Sequence, residues 1–154
     1  MENYIEKIEQ VRLNRSVYNL QIPEPIKEYS INSFKEKYKA FFGIKMDDES
    51  INFYKICDGL EDSGYKIYSS YNHTINKTEY GIFQNNELWY SDIEDFRNYV
   101  FYGESGMEFF VFNKEQEEYQ CLDRYNTDNI IATFNSFNDM LLYILKLMLY
   151  EEVD

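Results

Sequence analysis

Aromatic rings supply 19% of this 154-residue chain, while alanine occurs only twice, at Ala40 and Ala132. That imbalance constrains the fold more than any other feature. The core has to be built from rings and isoleucine rather than from small helix formers, and each Tyr or Trp that enters it brings a polar tip needing a partner. A chain this long hides roughly 70% of its unfolded surface, so one domain over residues 1–154 needs no staples. Its 44% apolar and 28% charged residues exclude a disordered tail, a collagen-like chain and a cysteine scaffold.

Charge narrows the partners. Fifteen basic residues stand against 28 acidic ones, for a formal net charge of -13. Nucleic-acid binding requires Lys and Arg gathered against phosphates, and the nearest cluster, Lys35, Lys37 and Lys39, is interrupted by Glu36. Nucleic acid is therefore not expected as a partner, nor is an anionic membrane. The sign favours a basic protein partner, and it equally keeps an aromatic-rich chain in solution. The first ten residues carry acids where a secretory signal needs a basic patch and an apolar run. The longest apolar stretch, residues 140–150, is broken by Lys146 and falls short of the roughly 20 residues that span a bilayer. The chain reads as cytoplasmic.

Periodicity sets out the elements. Tyr4, Ile5, Ile8 and Val11 predict a first helix over residues 3–13, and both prolines, Pro23 and Pro25, fall in an irregular connection over residues 15–30. Ser30 or Asn32 opens a second helix that Gly43 closes, and Asp47-Asp48 opens a third that ends at Asp58-Gly59. A weak strand follows at residues 65–69 after the turn Asp62-Ser63-Gly64, then a polar loop at residues 71–79. Residues 81–90 fit a short helix or a hairpin equally. Two continuous apolar runs, residues 99–102 and 108–112, suit strands buried on both faces, and residues 119–124 and 129–134 extend the same sheet in antiparallel order. Apolar residues at spacings of three and four from Phe137 to Leu149 define a last helix. Its apolar arc is wide enough to be wedged between two layers or to form a subunit contact, and the first is preferred. The sum is a single α+β domain.

Chemistry is hard to place in this sequence. His73, the one histidine, sits in a polar loop with no acid within two residues, so a Ser-His-Asp or Cys-His mechanism lacks its base. Cys57 and Cys121 are far apart and form no Cys-x-x-Cys pair, so no metal site is expected. Gly103-Glu104-Ser105-Gly106 departs from the Gly-x-Ser-x-Gly nucleophile elbow and reads as a tight turn. Carboxylates are the one abundant chemical group, and paired acids keep a small carboxylate-dependent hydrolase open as an alternative.

One order of elements is familiar. A helix reading Phe53-Tyr54-Lys55-Ile56-Cys57-Asp58-Gly59-Leu60 precedes a strand at residues 65–69. An apolar strand then runs into Tyr102-Gly103-Glu104-Ser105-Gly106, its partner is Glu108-Phe109-Phe110-Val111-Phe112-Asn113, and Ser136-Phe137 opens the final helix. Over roughly residues 47–150 this resembles the SUKH superfamily of bacterial immunity proteins. Asp47-Asp48 stands where the family often has Pro, and Met107-Glu108 where a further Gly and an Asp commonly follow. The resemblance implies a single curved, largely antiparallel sheet flanked by helices, no cofactor, and no enzymatic activity. It implies binding and neutralisation of a cognate toxin domain, a nucleic-acid-directed enzyme that is basic where it grips phosphate. A regulatory or scaffolding protein of the same fold is the alternative.

The family's interface varies between members, so contact residues are read from this sequence. Asp58, Glu61 and Asp62 lie beside one glycine turn, and Glu104 and Glu108 beside another, where side chains are free to meet a partner. Tyr65 and Tyr102 are placed to add rigid aromatic contact. Asp92, Glu94 and Asp95 form the next acidic candidate.

Overall fold

The computed structural model describes residues 3–71, 74–75, 78–79 and 81–153. Short polar side chains start several of its helices. Asn3 accepts the Ile5 N–H at the head of α1 (Tyr4–Ser16), Asp47 accepts the Glu49 N–H ahead of α3 (Asp48–Tyr54), and Ser136 accepts the Asp139 N–H ahead of α5 (Phe137–Met148). Each satisfies a backbone donor that the first turn leaves unpaired. Helix α2 (Ile31–Phe42) buries Phe34, Tyr38 and Phe42 at intervals of four and stops at Gly43, whose φ of 76° suits glycine. The ambiguous stretch at residues 81–90 is a helix, α4 (Ile82–Asp92), followed by a 3-10 turn, Glu94–Asn98.

Six strands form one open antiparallel sheet in the order β1-β2-β5-β6-β7-β8. They are β1 (Leu60–Asp62), β2 (Tyr65–Ile67), β5 (Tyr99–Glu104), β6 (Glu108–Asn113), β7 (Glu118–Asp123) and β8 (Asn126–Phe134). The two short strands β3 (Thr74–Ile75) and β4 (Thr78–Glu79) pair separately, where a loop was expected; His73 lies outside the described residues. The architecture is the α+β arrangement expected, with helices on both faces of the sheet. Strand β1 was not foreseen, because three residues are too few to show an alternation.

The central strands explain the continuous apolar runs. Phe110 and Val111 point to opposite faces of β6, and neither has any exposed surface. On one face Phe109 packs edge-on against Phe101 and Trp89, with ring centroids 5.0 and 5.1 Å apart, beneath α4. On the other, Tyr102 meets Phe137 at 5.3 Å, beneath α5. Six residues of α5 are buried, and it contacts α1, α3 and the sheet, so the wide apolar arc is wedged between layers. Two local demands shape β5. Asn86 bonds both the N–H and the C=O of Phe101 at the point where the β5–β6 register shifts. A Cβ on Gly103 would lie 2.2 Å from the Lys66 carbonyl oxygen, so β2 approaches β5 this closely only over glycine.

Candidate functional site

The antiparallel order gathers three hairpin turns at one end of the sheet. Register pairs Asp62 with Tyr65, Lys66 with Glu104, and Glu108 with Asp123. Glu61, Asp62, Tyr65, Glu104 and Glu108 are therefore brought to one region, as their placement beside turns suggested.

Two members of the predicted set do not belong to that surface. Asp58 is only 2% exposed; one carboxylate oxygen accepts the Ser70 N–H at 2.6 Å and the other the Ser70 hydroxyl at 2.8 Å. A carboxylate in this position knits the turn after α3 to the end of β2, because a buried acid has to be hydrogen-bonded. Tyr102 is 1% exposed, with its hydroxyl 2.8 Å from that of Tyr38. Neither side chain is available to a partner.

The remaining acids at the hairpin end are largely answered from within the chain. Arg124 reaches Glu104 at 3.2 Å, Lys66 stands 3.9 Å from it, and Arg15 is 3.4 Å from Asp62. Glu108 accepts the Ser105 hydroxyl. Arg124 also donates to the Ser105 carbonyl and lies 5.1 Å over the rings of both Trp89 and Phe109. Its exposed large apolar side chains are Met107 and Tyr125, 63% and 77% exposed, on two turns joined by the Arg124 N–H bonding the Met107 carbonyl.

The opposite end of the sheet exposes a second set of acids, with Arg97, Lys45 and Lys114 as its cations. The turn between β6 and β7, residues 114–117, exposes Glu115 and Glu117. Two hydrogen bonds fasten it to Asn98 at the end of the 3-10 turn, the Lys114 N–H to the Asn98 carbonyl and the Glu115 N–H to Asn98 Oδ1. That turn exposes Glu94 and Asp95, with exposed Asp92 and Ile93 just before it. Among the described residues, Asp92, Glu94, Asp95, Glu115 and Glu117 make no ion pair.

A groove of about 410 Å³ opens at this end, with Asp47, Asp48 and Glu117 as its carboxylates, Lys45 and Lys114 as its cations, and Tyr38, Phe112 and Tyr119 among its walls. Lys114 is turned inward, donating to the Phe42 carbonyl at 2.8 Å, and burial lowers its pKa. The floor is rigid. Tyr119 donates to Asp47 Oδ2 at 3.1 Å, and burial, then Tyr102 and Asp47, hold its phenol well above the usual range. Burial likewise pushes Tyr102 up to about 12, against a smaller lowering from its bond to Tyr38.

No thiol is activated at either end. Cys57 and Cys121 are buried and unpaired by disulfide, and burial pushes each up to about 12. Among the described residues no group of three or more His, Cys, Asp or Glu is placed to hold a metal ion, and no helix is long and apolar enough to cross a membrane. No family profile, curated protein or solved structure matches the chain.

Proposed function

We propose that this protein is a non-enzymatic immunity protein of the SUKH type, which binds a basic toxin domain and blocks it. The observation that carries the reading is the set of exposed acids without an ion pair at the groove end of the sheet, among the described residues. Glu94, Asp95, Glu115 and Glu117 are exposed at one end of the sheet and, among the described residues, make no ion pair; Glu117 also lines the open groove, in a chain of net charge -13. A toxin that acts on nucleic acid is basic where it grips phosphate. A fixed array of carboxylates imitates that ligand and raises the rate of encounter. Three carboxylates outnumber the chain's own Lys45 and Lys114 in the groove, and its aromatic walls offer packing to the alkyl stem of a partner's Lys or Arg. The binding surface thus shifts from the hairpin end, where internal cations already pair with Asp62 and Glu104, to the opposite end.

The test is protection. Cells carrying the cognate toxin should survive with the wild-type chain and die with Glu94→Lys, Asp95→Lys and Glu117→Lys combined, while purified variant and wild type melt at nearly the same temperature. Full protection by a folded triple variant contradicts the placement of the site.

A further inference from the structure

Of the three carboxylates that line the groove, two serve the fold. Asp47 accepts the Glu49 N–H at 2.8 Å through Oδ1 and the Tyr119 hydroxyl at 3.1 Å through Oδ2. Asp48 opens α3, where a negative charge suits the positive end of the helix. Glu117 differs from both. It is exposed, and among the described residues its side chain makes no hydrogen bond and no ion pair. Its backbone is also strained. Among the described residues Asn19, Ser63, Glu117 and Tyr150 have positive φ without being glycine, and Glu117 stands at 54°. A left-handed backbone crowds any residue that carries a Cβ. Asn tolerates it, the Ser63 hydroxyl bonds the Met148 carbonyl at 3.1 Å, and Tyr150 closes α5. Glu117 makes no bond of that kind.

The conformation is imposed by the residues around it. The Glu115 N–H donates to Asn98 Oδ1 and the Gln116 N–H to Asn113 Oδ1, each at 3.0 Å, and the Lys114 N–H to the Asn98 carbonyl at 2.9 Å. These bonds fix the turn, and with it the place from which the Glu117 carboxylate meets the groove. Glycine would satisfy such a turn without strain. What glycine cannot supply is a carboxylate. Strained residues that their surroundings over-determine gather at ligand clamps. We infer that Glu117 is the affinity-determining carboxylate of the groove, kept at a cost to stability so that a partner's Arg or Lys is held from the β6–β7 turn as well as from α3. The inference rests on the reading of the groove as the seat of a basic side chain, and adds which residue sets its affinity.

Stability and binding should move in opposite directions, and both are read on the full chain. In thermal melts Glu117→Gly should raise the melting temperature by roughly 2–4 °C, the shift expected for a chain of this size when one left-handed side chain is relieved. Glu117→Gln keeps the Cβ and should stay within about 1 °C of wild type. Backbone amide NMR titration with Nα-acetyl-arginine amide reads binding, and Nα-acetyl-citrulline amide serves as a neutral probe of the same shape. The arginine probe should shift the amides of groove residues, Tyr119 among them, and the citrulline probe should not. Both variants should weaken the arginine probe by about three- to fivefold, the loss expected for one exposed ion pair. Undiminished binding by both variants overturns the role of Glu117 and leaves the groove standing as a cation site. A wild-type groove that the arginine probe does not shift overturns the cation site, and this role with it. A Glu117→Gly chain that melts at or below the wild-type temperature contradicts the strain on which the inference rests.

Discussion

The two ends of the sheet carry similar numbers of acids and use them differently. At the hairpin end Arg15, Lys66 and Arg124 stand within 4 Å of Asp62 and Glu104, so the charge is spent on holding turns together. At the other end Glu94, Asp95, Glu115 and Glu117 face water without an ion pair among the described residues. Local sequence looks alike in the two places. The difference teaches that a count of acids locates charge, while only the positions of the cations say which charge a partner can feel.

Several perturbations break or sharpen that contrast, beginning with the largest effect. The acidic end rests on buried phenols, and alkaline pH should undo its floor. Burial pushes Tyr102 from the ordinary 10.0 up to about 12, and Cys57 and Cys121 from 9.0 up to about 12. The folded pKa values lie above the unfolded ones, so this stability is complete below pH 9 and is lost as pH rises towards 12. Tyr102 alone accounts for on the order of 3 kcal/mol, with the thiols adding to it. Denaturant melts at pH 8 and pH 11.5 measure the loss.

Phe110→Ala cuts into the strand that runs between the ends. It removes a fully buried ring that packs on Tyr65 and Tyr143, and should cost about 3–5 kcal/mol in urea unfolding. Asp58→Ala separates a structural acid from a surface one. It strands the Ser70 N–H and hydroxyl in the interior and should cost about 1–3 kcal/mol, an effect that an exposed interface acid would not produce.

Arg124→Ala tests whether the hairpin end is self-compensated. Loss of the Glu104 pair and of the stacking over Trp89 and Phe109 should lower stability by about 1 kcal/mol. The smallest effect is expected at the acidic end. Glu94→Lys, Asp95→Lys and Glu117→Lys should each change stability by less than about 0.5 kcal/mol, because the wild-type side chains are exposed and support nothing.

Much of the fold was legible in local pattern. The spacing from Phe137 to Leu149, the Asp47 cap and the apolar runs of β5 and β6 each lie within one element, where periodicity and capping act. Strands β1, β3 and β4 were not legible, since two or three residues carry no period. The site was read less well for a related reason. Asp58 is decided by Ser70, twelve residues on, and Tyr102 by Tyr38, 64 residues back. The neutralising contact of Arg15 to Asp62 spans 47 residues and that of Arg124 to Glu104 spans 20. Glycine turns marked where acids would gather, and the cations that silence some of them came from other elements.

The most direct test of the acidic end as the binding surface is comparative capture from the native cell. Three forms of the chain serve as bait: wild type, the acidic-end triple Glu94→Lys/Asp95→Lys/Glu117→Lys, and a hairpin-end double Met107→Ser/Tyr125→Ser. Any captured protein is then expressed alone to ask whether it is toxic. The account predicts that wild type and the hairpin-end double retain a basic protein that kills cells lacking this chain, and that the acidic-end triple loses it. Retention by a folded acidic-end triple, with loss by the hairpin-end double, would contradict it.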